Sequence, residues 1–386
     1  MLHRAVPVMI RDCAHGIALP LLAFVLCACA RSDADTVSED VRSTTQRVVY
    51  GEDDRLEVYR YNGDTFARAS QSLVALVPPG LISSLPEGGL VPSPEPAMDV
   101  LQLCEDEPFV TQPAVAACSG VLIDDDLVLT AGHCFREGES CDVYAYVFDY
   151  HYSRPGQSPD LIDLDVYGCR KLIVRERRQR ASGVLHDFAV VQLDRKVDLR
   201  RRPVPLRTEQ VESGEGLTVM GSPQGLPAKI DTGGAVRPSP PPKYGYFFAD
   251  TDTFGGSSGS PAYDDGRELI GILIRGNQDY VEDPETYCLR AKRLSEDETT
   301  DGRFEQFAYL APALAALCET AEGQARPVCN PPAPVRGKAS LACNVHPHAN
   351  ERGVVSSLWG LAGLWLCSGL FRRRYSNRKN SSRSSV

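Results

Sequence analysis

Two short β-rich runs, Cys118-Ser119-Gly120-Val121-Leu122-Ile123 and Leu127-Val128-Leu129-Thr130, are separated by Asp124-Asp125-Asp126 and followed by Ala131-Gly132-His133-Cys134. An acidic turn signal between β-branched and leucine-rich runs predicts strands, not a helix. The same pattern recurs along the chain. Val143–Phe148, Phe188–Leu193, Leu217–Gly221, Tyr244–Ala249 and Leu269–Ile274 are further runs of this type, punctuated by clusters such as Asp264-Asp265-Gly266. Many short strands with turns between them predict an all-β barrel or sandwich. One helix is expected, over Phe304 to Leu317, with Pro312 limiting its length. No internal repeat, dinucleotide-binding glycine motif or phosphate loop interrupts the pattern.

His133 is one of three groups whose combination carries chemistry. The second lies in His186-Asp187-Phe188-Ala189-Val190-Val191-Gln192-Leu193, and the third in Gly255-Gly256-Ser257-Ser258-Gly259-Ser260-Pro261. A serine hydroxyl is a weak nucleophile at neutral pH until a base removes its proton. His133 supplies that base, and Asp187 would hold the imidazole in one tautomer and stabilise its cation. Glycines around Ser258 permit a tight turn that aims the amides of Gly256 and Ser258 at a developing oxyanion. Ser258 is preferred to Ser257 and Ser260 because it occupies the middle of Gly-x-Ser-Gly-x-Pro. His151 and His186 lack such a context and read as surface residues.

Together these segments resemble the chymotrypsin/trypsin-like serine peptidases, in which histidine, aspartate and serine follow one another in that order. The resemblance covers about Val48 to Leu317. It implies two antiparallel β-barrels, about 48–202 and 203–310, inside a peptidase domain of 48–320. His133 and Asp187 would come from the first barrel and Ser258 from the second. It also implies a Cys118–Cys134 disulfide clamping the histidine loop, protein or peptide substrates, and no cofactor. Cys141 and Cys169 form a second candidate pair, while Cys104, Cys288, Cys318, Cys329 and Cys343 are left without assignment. No metal-ligand spacing is present among the cysteines.

Val48-Val49-Tyr50-Gly51-Glu52-Asp53-Asp54-Arg55 and Asp252-Thr253-Phe254-Gly255-Gly256 resemble the bacterial glutamyl-endopeptidase-like branch. A propeptide of 31–47, ending at Arg47, follows from that resemblance. Ser257 stands where animal trypsins keep an aspartate that pairs with the new amino terminus, so activation by that ion pair is not expected. Specificity stays open. Asp252 lies six residues before Ser258 and would suit a basic residue at the cleaved bond. Leu273 falls where the glutamyl branch uses a histidine, and Arg275 could neutralise Asp252 or receive an acidic side chain.

Charge and the chain ends bear on location. The net charge is −10, and the basic excess of the last fifteen residues leaves 48–371 at −16. So acidic a body repels phosphate backbones, which argues against nucleic acid as a partner. Thirteen cysteines without a CxxC pair point to an oxidising compartment. Residues 1–30 read as a signal peptide, with Arg4 and Arg11, an apolar run from Ile17 and Ala28-Cys29-Ala30. Leu26-Cys27-Ala28-Cys29 also fits a lipoprotein box with Cys29 lipidated. At the other end, a proline-rich tether of 321–353 precedes an uncharged span, Val354 to Phe371, and a basic tail of 372–386. That order predicts a bacterial membrane anchor or sorting segment on an exported, surface or periplasmic body. The oligomeric state is not assigned. The leading function is an exported serine endopeptidase. The alternative is a catalytically silent homologue that binds ligands at the surface.

Overall fold

The computed structural model describes residues 53–61, 69–86, 89–159, 161–276, 279–293 and 304–330. After β1 (Leu56–Glu57) come β2 (Leu73–Val77), a hairpin of β3 (Ile82–Ser84) and β4 (Leu90–Pro92), and the short helix α1 (Ala97–Leu101). Then follow β5 (Cys118–Asp124), β6 (Leu127–Thr130), β7 (Ala145–Val147), β8 (Val166–Tyr167), β9 (Cys169–Gln179) and β10 (Leu185–Leu193). Seven of these form an antiparallel sheet in the order β8-β7-β2-β5-β6-β10-β9. Every residue of β2, β5 and β6 is buried, as befits runs apolar on both faces. β9 is an edge, Arg- and Lys-rich and at least partly exposed along its length. Charge on an edge strand blunts further pairing.

The second sheet uses β11 (Gly216–Gly221), β12 (Lys229–Arg237), β13 (Tyr246–Asp250), β14 (Pro261–Tyr263), β15 (Leu269–Arg275) and β18 (Glu305–Tyr309). Between the last two lies a separate hairpin, β16 (Tyr280–Glu282) with β17 (Leu289–Ala291). The order β12-β11-β14-β15-β18-β13 closes on itself, because β13 pairs back with β12 through Ala235↔Asp250, Val236↔Ala249 and Arg237↔Phe248. Its core holds Phe247 stacked on Phe307 at 5.4 Å, with Tyr309 5.0 Å from Phe247. Leu217, Val219, Val236 and Ile270 fill the space around them. β1 adds to this sheet rather than to the first, with Leu56 opposite Ile230.

The all-β expectation therefore holds at the level of one closed six-stranded barrel and one curled half-barrel. Two antiparallel β-barrels were expected. The first sheet stays open because its edges are a two-residue strand, β8, and the charged β9, and these do not pair among the described residues. The expected helix over Phe304–Leu317 is half strand: β18 takes Glu305–Tyr309, and α2 (Leu310–Cys318) follows directly. Pro312 sits in the first turn of α2, where its missing N–H would have no partner anyway. Among the described residues no helix is long and apolar enough to cross a membrane, and Val354–Phe371 lies outside them. Disulfides join Cys118–Cys134, Cys141–Cys169, Cys104–Cys288 and Cys318–Cys329. Cys343 lies outside the described residues.

Candidate active site

His133 is delivered by the end of β6. The chain turns at once into a single 3-10 turn, Gly132–Cys134. Gly132 is required there by proximity, since a Cβ at that position would lie 2.1 Å from the Glu176 carbonyl of β9. Arg175 on β9 holds the turn from outside, its Nε donating to Gly132 O at 2.8 Å and Phe135 O at 2.9 Å. Tyr144 Oη donates to Cys134 O at 3.0 Å, and the Cys118–Cys134 bridge ties the turn to β5.

Asp187 lies on β10, next to β6 in the sheet, and its side chain is 8% exposed. Its Oδ1 accepts the backbone N–H of His133 at 2.8 Å, while Oδ2 lies 2.9 Å from His133 Nδ1. An ionised carboxylate only accepts, so the proton of this pair belongs on Nδ1. Nε2 is left as the acceptor, and it lies 2.7 Å from Ser258 Oγ. The structure thus brings His133, Asp187 and Ser258 into one hydrogen-bonded line, across the junction of half-barrel and barrel.

Ser258 sits in the loop between β13 and β14. Gly256 and Gly259 have φ of 88° and 84°, the left-handed region in which a side chain is strained. Gly259 also passes so close to the half-barrel that a Cβ would lie 2.1 Å from Ser119 O. The loop is fastened there: Ser119 N donates to Ser258 O at 2.7 Å, and Thr130 Oγ1 donates to Ser119 O at 2.6 Å. Ser222 N completes the junction by donating to Ser119 Oγ at 3.0 Å. Sequence reading placed Ser119 and Thr130 on strands and saw no role for them; no local signal marks a strand residue as the tie between two bodies.

The amides of the loop divide into two groups. Gly255 N donates to Asp279 Oδ2 at 2.6 Å, Ser257 N to Phe254 O at 2.9 Å, Gly259 N to Leu273 O at 2.7 Å and Ser260 N to Ser257 O at 2.8 Å. Gly256 N and Ser258 N have no protein acceptor among the described residues. These two are the donors expected for the oxyanion.

The three residues named for specificity differ in burial. Asp252 is buried, its Oδ2 accepting from Asp54 N at 2.7 Å and its own N donating to Asp231 Oδ2 at 2.5 Å. Burial pushes the Asp231 carboxyl up to about 6. Leu273 is in the barrel core and its backbone bonds to the loop, accepting from Gly259 N and donating to Ser260 O at 2.9 Å. Arg275 is exposed at the end of β15. Two acids escaped the sequence reading. Asp279 receives Gly255 N, and the buried Glu305 accepts from Thr253 Oγ1 at 2.7 Å. Glu305 was hidden because its segment was expected to be helical. Among the described residues the two other histidines, His151 and His186, are half-buried rather than on the surface. His186 Nδ1 lies 2.8 Å from Glu176 Oε2, and burial holds His151 below its ordinary value. No group of three or more His, Cys, Asp or Glu side chains fit to hold a metal occurs among the described residues.

Residues 118–272 match the family model described as the trypsin-like peptidase domain. Among solved structures, the chain is similar to Rv3671c from M. tuberculosis in an inactive form, with TM-score 0.37 and 14% identity, covering 68% of this chain and 92% of that one. It is also similar to the Vibrio cholerae VesB protease, with TM-score 0.41 and 19% identity, covering 65% of this chain and 63% of that one. No curated protein matches the sequence.

Proposed function

Starting from a chain that carries a trypsin-like peptidase domain, we propose that it is an exported serine endopeptidase working through an acyl-enzyme on Ser258. The supporting observation is the line of contacts from Asp187 through His133, at 2.9 Å, to Ser258 Oγ, at 2.7 Å. Ser258 Oγ attacks the scissile carbonyl while His133 Nε2 takes its proton. Asp187 keeps Nδ1–H in place and stabilises the imidazolium that forms. The amides of Gly256 and Ser258 receive the tetrahedral oxyanion, one such donor being worth about 3–4 kcal/mol of barrier. His133 then protonates the leaving amine, and water releases the acyl group by the same steps in reverse order.

The oxidising compartment implied by the four disulfides fits export through the segment 1–30 and tethering by Val354–Phe371. Its substrates are proteins or peptides outside the cytoplasm. A fluorophosphonate probe, which reacts only with an activated serine, tests the chemistry. The wild-type chain is expected to label and to cleave casein, and Ser258→Ala to do neither. A wild-type chain that folds but does not label is the silent binding homologue instead. Fractionation of the full-length protein beside a chain ending at Gly353 tests the tether: equal solubility with the tail intact would exclude it.

A further inference from the structure

Arg55 lies far in sequence from the proposed nucleophile, yet its side chain is only 2% exposed. It is held in a fork: Nε donates to Asp53 Oδ1 at 2.8 Å and Nη2 to Asp53 Oδ2 at 2.5 Å, while Nη1 donates to Gln224 Oε1 at 3.0 Å. Its guanidinium lies over the Phe254 ring, 4.0 Å from the centroid, and 5.4 Å from that of Phe109. Burial raises the Asp53 carboxyl, and the Arg55 contacts more than offset this, holding it below its usual value. A buried guanidinium needs such a set of partners, and its flat face suits an aromatic ring.

Two of Arg55's distant contacts, Phe254 and Gln224, abut the same short stretch. Phe254 precedes Gly255-Gly256 directly, and its carbonyl accepts Ser257 N at 2.9 Å. On the other side, Gln224 N donates to Gly255 O at 2.6 Å. Gln224 itself is strained at φ 60°. A Cβ on Gly256 would lie 2.8 Å from Gly225 N and 3.0 Å from Ser222 O, so the two loops are in backbone contact. The Gly255–Gly256 peptide is therefore braced through Phe254 at one end and Gln224 at the other, and one side chain touches both braces. Arg55 is in turn positioned by β1 on β12 and by Asp54 N on Asp252.

We infer that Arg55 is a positioning residue for the oxyanion amide of Gly256: residues 53–57, within the first described segment of the chain, latch the loop that receives the transition-state charge. The inference rests on the peptidase reading above. Acting through Gly256 and not on substrate, Arg55 should matter to the rate of the chemical step and little to ground-state binding.

The test compares wild type, Arg55→Ala, Arg55→Lys and Gln224→Leu in the full chain. The measurements are kcat and KM on a peptide amide, affinity for a peptide aldehyde, and the thermal midpoint. Arg55→Ala is expected to lower kcat about 10- to 100-fold, below the full loss of one oxyanion donor, with KM within about threefold. Aldehyde affinity should fall in parallel with kcat, because the aldehyde forms the tetrahedral adduct. Arg55→Lys keeps a cation over Phe254 and should recover part of the loss. If Arg55→Ala does not fold, Gln224→Leu, which removes one contact of Arg55 and the bond from Gln224 Nε2 to Tyr280 Oη, decides by the same kcat-selective loss. Variants whose kcat equals wild type, or whose kcat, KM and stability fall without selectivity, overturn the role of Arg55 while leaving the peptidase reading intact. A folded wild type that neither labels with fluorophosphonate nor cleaves the amide overturns the peptidase reading itself.

Discussion

The half-barrel and the closed barrel position their parts of the site by different means. In the half-barrel, Asp187 is on a strand and His133 is one turn beyond the neighbouring strand, so the sheet ladder itself sets their separation. In the barrel, Ser258 and the amides of Gly256 and Ser258 lie in a loop with no ladder of its own, shaped by Gly256 and Gly259 and fastened by Ser119, Gln224 and Leu273. A base held by a sheet tolerates local damage. A nucleophile held by a loop depends on distant contacts, and mutation separates the two cases.

The largest effects should come from the reacting groups themselves. Ser258→Ala and His133→Ala are each expected to lower kcat by about 10⁴-fold or more, and the double variant by no more than the worse single one. Ser257→Ala, at a buried neighbour, should retain most activity; if it is the variant that abolishes turnover, the nucleophile is misassigned. Asp187→Asn should cost about 10³- to 10⁴-fold, because an amide can place an N–H against Nδ1 and reverse the tautomer. Steady-state kinetics on one peptide amide ranks all of these.

The two crowded glycines compare the bodies directly. Gly132→Ala drives a methyl into Glu176 O, and Gly259→Ala drives one into Ser119 O while also straining a φ of 84°. Each should lose about 3 kcal/mol of stability by urea unfolding. Of the two, Gly259→Ala should cost more activity per unit of lost stability, since it lies beside the nucleophile. Equal ratios would remove the distinction between ladder-held and loop-held groups.

Arg175→Ala leaves the Gly132 and Phe135 carbonyls without their shared donor, at a cost of about 1–3 kcal/mol. Because Asp187 still grips His133 at two points, kcat should drop less than tenfold. A larger drop would show that the ladder does not suffice to hold the base.

The smallest effect concerns the acids behind the loop. The Asp231 carboxyl is raised by burial to about 6 in the folded chain. Between its unfolded value and that one, the folded state binds the extra proton, so stability falls as pH rises across about 4 to 6 and is level above it. Against Asp231→Asn, which cannot titrate, wild type should therefore lose on the order of 2 kcal/mol over that window. A difference in urea midpoint that stays constant from pH 4 to 7 would contradict the raised value.

Much of this site was legible in one dimension. His133, Asp187 and Ser258 each sit in a short motif whose glycines and strand-like neighbours have local reasons, and β5, β6 and β10 could be read from apolar runs. Harder were β9 and β12. In β9, charged residues occupy an edge and mask the strand period, and β12 carries Gly233-Gly234 beside buried Lys229 and Asp231. The β18 segment was misread as helix because Phe304–Leu317 is apolar enough for either, and only its pairing with β13 and β15 distinguishes them.

The chain's residues by themselves determine an all-β body, the three residues proposed to react and the glycines their loops need. Motif and periodicity act between residues a few positions apart, so they can be read along the chain. Only the tertiary structure decided that one sheet closes through β12 and β13 while the other stays open, and that Ser119 joins the two. The burial of Asp252 under the Asp54 amide and the contacts of Arg55 with Gln224 and Phe254 belong with these. Each is a contact between residues far apart in sequence, such as the 169 positions between Arg55 and Gln224. Its energy comes from desolvation and hydrogen-bond geometry that exist only once the surrounding chain has packed.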